Sequence, residues 1–219
     1  MKDWMDEFRK KKALWIHDGN MKRPHALLTS GKHSNGFFNS RPVIYDEPLL
    51  REAASDLIDL YRMDTNGFSI SVVDRIIGPQ TGATHLAGFM SCHGKSLGWS
   101  TDWASPAKDG EGRNKKMVFN NYEHSMLRGE TVLLCEDVIT TGESIQLTAK
   151  AVIEAGGMIL PYVLALVNRS GLKEIGGRKI ISLIDHHMPT WEPNECPLCK
   201  EGSEALRPKD NWKLLNAEY

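Results

Sequence analysis

Thr131-Val-Leu-Leu-Cys-Glu-Asp-Val-Ile-Thr-Thr-Gly-Glu-Ser144 is the stretch whose reading decides the fold. Val132, Leu133, Leu134 and Cys135 form a short apolar run, as expected of a strand covered on both faces in a parallel sheet. Glu136 and Asp137 follow where that strand is expected to end. After Val138 and Ile139, the residues Thr140, Thr141, Gly142, Glu143 and Ser144 supply hydroxyls, a glycine and consecutive backbone N–H groups. Ile145, Leu147, Ala149, Val152 and Ile153 then recur at helical spacing. In open α/β sheets, ligands bind outside the carboxyl ends of the strands. A hydroxyl- and glycine-rich turn entering a helix is a phosphate cradle, and two acids just upstream can accept hydrogen bonds from a vicinal diol. The stretch therefore describes a ribose 5-phosphate site. An ordinary buried strand with a capped helix would explain the hydroxyls. It would not explain two acids between apolar residues, because buried charges rarely lack partners.

Composition sets bounds around this core. The chain has 219 residues, of which 41% are hydrophobic, enough for one sizeable core. The net charge is −1, which argues against a nucleic-acid or membrane-surface partner. No apolar run approaches transmembrane length, and Asp3, Asp6 and Glu7 among the first lysines do not suit a signal peptide. Four cysteines without such a signal suggest a reducing, cytoplasmic setting.

The stretch 131–144 resembles the phosphoribosyl-pyrophosphate (PRPP) signature of the type I phosphoribosyltransferases. That resemblance implies an α/β fold with a central, mostly parallel sheet flanked by helices and a small N-terminal hood. It also implies that Glu136 and Asp137 hold the ribose hydroxyls and that Thr140, Thr141, Gly142, Glu143 and Ser144 grip the 5′-phosphate, with Thr140 also near the base.

Other segments extend it. Lys2 to Trp15 suggests a lysine-rich amphipathic helix. His25 to Asn39 reads as a hairpin over a ligand pocket, and its Leu-x-Ser-Gly-x-x-Ser-x-x-Phe pattern, Leu28 to Phe37, is similar to the hood of orotate phosphoribosyltransferases. There the two aromatics, here Phe37 and Phe38, line the pocket of a flat pyrimidine. Family members often carry Lys or Arg before the Ser-Gly; this chain has Thr29, and Lys32 is the candidate replacement. Asp46 to Tyr61 reads as a capped helix. Ile70 to Ile77 reads as a strand running into Gly78-Pro-Gln-Thr-Gly-Ala83, a turn that offers backbone N–H groups to an anion. The resemblance assigns Gly78, Thr81 and Gly82 to the pyrophosphate, with glycine at position 82 where some relatives have lysine.

Leu97 to Ser100 reads as a short strand, and Asp102 to Lys116 as a polar, mobile loop. Within the loop, Ala107 to Gly112 is similar to the family's catalytic loop, which makes Lys108 the residue that reaches the pyrophosphate. The loop is of the shorter kind, and Arg113, Lys115 and Lys116 are candidate stand-ins for cations it lacks. Leu160 to Val167 and Lys179 to Ile184 read as strands. Arg169, just after the first of these, matches the family arginine that recognises orotate, whose carboxylate and ring oxygens suit a planar donor fork.

The tail carries Cys196-Pro-Leu-Cys199, half of a zinc site that the neighbouring His186-His187 could complete. A plain turn with two thiols is the alternative. The expected organisation is one domain over residues 1–219, with the hood at about 17–45 and the tail at about 186–219. The implied reaction converts orotate and Mg-PRPP to orotidine 5′-monophosphate and pyrophosphate, and family members are commonly homodimers. A phosphoribosyltransferase for another base, or a non-catalytic PRPP- or nucleotide-sensing regulator, are the competing readings.

Overall fold

The structure is a computed structural model that describes residues 2–66 and 73–218, apart from the side chain of Arg113. The chain begins with α1 (Trp4–Lys10), β1 (Leu14–Ile16), β2 (His25–Leu27), β3 (His33–Ser34) and β4 (Gly36–Phe38). The helix expected over Lys2 to Trp15 is thus cut short, and its last residues become β1, paired antiparallel with β4. The stop is a Schellman turn built without glycine. Lys12 takes φ 51°, Lys12 N–H donates to the Arg9 carbonyl at 2.9 Å, and Ala13 N–H donates to the Phe8 carbonyl at 2.8 Å.

Two helices follow, α2 (Arg41–Ile44) and α3 (Glu47–Asp64). Asp46 caps α3 by accepting from Leu49 N–H at 3.1 Å, and Pro48 sits in the first turn, as the sequence suggests. Next come β5 (Arg75–Ile77), α4 (Thr84–Ser96) and β6 (Asp102–Ala104). Residues 70–72 of the expected strand lie outside the described residues. Leu97 to Ser100 is not a strand: it is the C-terminal cap and exit of α4, and the strand begins at Asp102, two residues later.

The segment read as an open loop is instead largely paired. Its middle folds back as an arm of β7 (Ala107–Asp109) against β8 (Lys116–Val118), in register Lys108 with Met117. Met117 and Phe119 are buried under α6 (Glu143–Glu154), which supplies the apolar anchor that the charged sequence conceals. After the arm come α5 (Asn121–Met126), opened by a capping box of Asn120 and Glu123, and β9 (Thr131–Ile139). The chain continues through β10 (Met158–Asn168), β11 (Glu174–Ile175) and β12 (Arg178–Asp185). It closes with β13 (Thr190–Trp191), α7 (Pro197–Lys200), β14 (Ala205–Leu206) and α8 (Pro208–Leu215).

The main sheet has the order β11-β12-β10-β9-β5-β6, parallel except for β11 at its edge. Alternate residues of β9 serve two cores. Leu133 and Cys135 join α1, α3 and α4 on one face, while Val132 and Leu134 join α6 on the other. That double coverage is why the run is continuously apolar. The strand does not end at Cys135, however. Pairing with β10 persists through Val138 and Ile139, so Glu136 and Asp137 are ladder residues near its carboxyl end.

A second sheet, β13-β3-β2-β14, forms the hood. Both of its outer strands come from the tail: β13 pairs with β3 and β14 with β2. Among the described residues, no helix is long and apolar enough to cross a membrane.

Candidate active site

The carboxyl ends of β5, β9 and β10 converge with the hood and the arm on one cavity of about 430 Å³. Glu136, Asp137, Thr140, Thr141, Glu143 and Ser144 line it from β9 and the turn beyond. Thr81 and Gly82 line it from the turn after β5, Lys108 from the arm, Arg169 from the end of β10, and Phe37 and Phe38 from the hood. Gly78 and Gly142, also expected in the site, shape it without lining it. Gly142 begins α6 at φ 78°, leaving the first-turn amides with no side-chain cap from that residue. Gly78 is packed against Ala83 and the Cys135 thiol.

The two acids differ in surroundings. Asp137 accepts from Ser40 Oγ at 2.5 Å. Glu136 is only 7% exposed, and burial, followed by the charge of Asp137, pushes its carboxyl well above the usual carboxylate range. A carboxyl whose pKa is raised on folding binds more protons folded than unfolded. Its stabilising protonation is complete below the ordinary carboxylate range and is lost as pH rises through the raised value. Glu136→Gln is therefore expected to raise the thermal midpoint, most at the alkaline end of that window, and to flatten its pH dependence. A midpoint that instead tracks the wild type at every pH would refute this account.

Gly82 is required by contact. A Cβ there would meet the Asp137 carboxylate at 2.5 Å, so only glycine lets the turn after β5 approach the acid. Gly82→Ala must displace that carboxylate. It is expected to lower the kcat/KM of a reaction in this cavity by about 10²-fold, the scale of a 1 Å misplacement. Unchanged kinetics would show that the turn yields instead.

Arg169 is the most unusual side chain in the cavity wall. It is 2% exposed. Its Nη1 donates to the Gly36 carbonyl at 3.0 Å and its Nη2 to Ser34 Oγ at 2.6 Å, which holds it against the hood. Its Nε has no hydrogen-bond partner, and no carboxylate pairs with it among the described residues. Burial alone pushes its pKa down to about 10, so the group remains a cation at neutral pH.

No protein-family model matches the chain. A curated orotate phosphoribosyltransferase of Heliobacterium modesticaldum is 31% identical over 204 residues, covering 93% of this chain and 95% of that protein. One from Desulforamulus reducens is 32% identical over 195 residues, covering 89% and 93%. The chain belongs to the orotate phosphoribosyltransferase family. Among solved structures, the orotate phosphoribosyltransferase of Aeropyrum pernix superposes with a TM-score of 0.55 at 22% identity, over 82% of this chain and 91% of that one. An adenine phosphoribosyltransferase of Rhodothermus marinus gives 0.55 at 16% identity, over 83% and 97%. The fold is that of the type I phosphoribosyltransferases. Proteins named for different bases share it, so sequence likeness, not fold, sets the orotate phosphoribosyltransferase family apart here.

Several expected residues lie elsewhere. Lys32 is not in the cavity wall; its ammonium pairs with Glu192 of the tail at 2.9 Å. Lys116 pairs with Asp109 across the arm at 3.3 Å, whereas Lys115 lines the cavity and sits 3.4 Å from Glu143. The side chain of Arg113 lies outside the described residues. His186 and His187 do not join Cys196 and Cys199: His186 packs edge-on against Phe38, and His187 lies against Gly171. The histidines beside the cysteines are His25 and His33.

The sequence reading missed Ser40 and Lys209. Ser40 lies two residues beyond the Phe-Phe pair, and its nearness to a matched motif was the available signal. Lys209 reaches the cavity from α8, whose Trp212 packs 6.0 Å from Phe37. Nothing local in the tail marks it.

Proposed function

We propose that this chain transfers the 5-phosphoribosyl group of PRPP to orotate, giving orotidine 5′-monophosphate and pyrophosphate. The observation that carries the reading is Arg169, a buried cation with an unpartnered Nε at the wall of a cavity that also holds two acids and a phosphate-type turn. A buried charge without a counter-charge is costly, and an anionic ligand offsets that cost. Orotate carries a carboxylate; uracil and the purine bases do not.

In this reading Asp137 and Glu136 accept the ribose hydroxyls, with Asp137 oriented by Ser40. Thr140 to Ser144 hold the 5′-phosphate with hydroxyls and helix amides, and Thr140 also borders the base. Thr81, Gly82 and the turn from Gly78 hold the pyrophosphate through backbone groups. Phe37 and Phe38 border the base, and Lys108 neutralises the leaving group. No side chain acts as a covalent nucleophile: catalysis is positioning and charge stabilisation around an oxocarbenium-like transition state.

The carboxylate donors and the phosphate oxygens of PRPP suit Mg²⁺, a hard cation that keeps several waters and takes few protein ligands. When bound, Mg²⁺ supplies further neutralisation of the pyrophosphate charge. The reading also takes residues 1–219 as one working domain, with the tail completing the hood. A cytoplasmic homodimer is part of it, supported by the family resemblance.

The test is pyrophosphate release from Mg-PRPP with orotate, uracil, adenine, guanine and hypoxanthine offered separately. Release with orotate alone is expected. Release with another base would keep the PRPP site and reject orotate. PRPP binding without release for any base would reject transfer altogether.

A further inference from the structure

The hood has very little core to hold it together. Its four strands are two or three residues long, and among the described residues its apolar cluster has Trp15, Ala26, Leu28 and Leu215 as buried members, with Phe37 and Trp212 packed against them. Beside that cluster four side chains from distant parts of the sequence converge. His25 lies 171 residues from Cys196, yet its Nε2 is 3.6 Å from the Cys196 thiol. The same Nε2 is 3.5 Å from Cys199 Sγ and 3.0 Å from His33 Nδ1, and Cys199 Sγ is 3.2 Å from His33 Nδ1. All four ligand atoms lie within 4.8 Å of one another, and His25 and Cys196 are fully buried.

We propose that His25 Nε2, His33 Nδ1, Cys196 Sγ and Cys199 Sγ bind one structural Zn²⁺ that clamps the tail to the hood. Zn–N bonds of about 2.0–2.1 Å and Zn–S bonds of about 2.3 Å in a tetrahedron require ligand–ligand edges of roughly 3.3–3.8 Å. The distances above fall around those edges before any adjustment to an ion. Two thiolates and two imidazoles are a zinc donor set, and four protein ligands leave no position open for a substrate or a reactive water.

The surroundings of His25 point the same way. Its Nδ1 is 2.9 Å from Ser203 Oγ, whose hydroxyl donates at 2.6 Å to the Arg23 carbonyl. Ser203 must therefore accept from Nδ1–H, which fixes the tautomer with the Nε2 lone pair aimed at the cluster. Metal-ligating histidines are held by their other ring nitrogen in this way. A plain histidine–histidine hydrogen bond needs no such arrangement and leaves the converging thiols unexplained.

Position gives the clamp its purpose. His25 is on β2 opposite Ala205 of β14, and His33 is on β3 opposite Trp191 of β13. The cysteines sit in the bend between those two tail strands, Cys196 at the start of α7. One ion would thus fasten both tail strands to both hairpin strands. Beyond β14, α8 is then held where Trp212 backs Phe37 and Lys209 reaches the cavity. The site itself does not depend on which base the cavity takes.

The experiment uses full-length protein purified under reducing conditions without a polyhistidine tag. Elemental analysis is expected to find one zinc per chain, held with an apparent Kd below about 10 nM. Exchange with Co²⁺ is expected to give tetrahedral ligand-field bands and a thiolate charge-transfer band. Stripping the metal is expected to lower the thermal midpoint by more than about 5 °C, restored by Zn²⁺. Cys199→Ser is expected to lose these signatures, His33→Cys to keep zinc with a shifted Co²⁺ spectrum, and Cys92→Ser, at an exposed thiol outside the cluster, to change nothing. Metal-free wild-type protein that neither binds added Zn²⁺ nor gains stability from it would overturn the proposal. So would a Cys196–Cys199 disulfide found in a parallel preparation without reductant, its thiols alkylated at lysis, or stoichiometric zinc that survives loss of both cysteines.

Discussion

Arg169→Ala is expected to lower kcat/KM for orotate by about 30- to 5,000-fold, the range for removing one partner of a desolvated charge pair. PRPP binding should change little, because Arg169 enters from β10 and the hood, not from the turns around the two acids. The fork geometry matters as well as the charge. Arg169→Lys retains a cation but loses the planar donors that engage the Gly36 carbonyl, Ser34 and the cavity together, so it should recover only part of the loss. Binding should also report on stability. The pKa of about 10 records that burial disfavours the cation, so an anion bound beside it relieves a cost of folding. Orotate is therefore expected to raise the thermal midpoint of the wild type and not that of Arg169→Ala. Removal of Arg169 without loss of orotate turnover would sink the proposed specificity.

That arginine was legible only through the family resemblance, since a cation shortly after an apolar strand could equally be a surface charge. The signal of β9 is local. A strand buried on both faces must be apolar throughout, so Glu136 and Asp137 stand out, even though the strand runs past them. What was hidden depends on partners far along the chain or on conformations that the residue type does not advertise. Lys12 ends α1 in a left-handed turn usually taken by glycine. The arm reads as a loop because its anchoring residues, Met117 and Phe119, are two apolar side chains in a polar stretch. The tail strands are two residues each, too short to show any period, and their pairing with β2 and β3 spans most of the chain. The ligand partners of the Cys-x-x-Cys pair follow from that pairing. His186 and His187 are near in sequence, but β13 turns the chain so that His25 and His33 are near in space.

The arm bears the second large effect. Lys108→Ala is expected to lower kcat by about 10²- to 10³-fold, the loss typical of removing one preorganised group aimed at developing negative charge. Charge on the pyrophosphate grows as the glycosidic bond breaks, so Lys108 should stabilise the transition state more than bound PRPP, and KM for PRPP should move much less than kcat. Two further lysines of the arm are already engaged, Lys115 with Glu143 and Lys116 with Asp109. Lys108 lines the cavity and has no ion pair among the described residues, which leaves it, of the arm's three lysines, the one free to meet a ligand. Lys115→Ala should therefore have a smaller effect, expressed mainly in KM, because its charge is partly satisfied by Glu143 before any substrate arrives. The contrast separates an enzyme from a sensor. A non-catalytic PRPP-binding protein would lose affinity in proportion to charge at either position and would have no turnover to lose, whereas a transferase loses rate specifically at Lys108. Equal effects of the two substitutions on pre-steady-state chemistry would show that the arm acts as a diffuse positive surface and not through one positioned lysine.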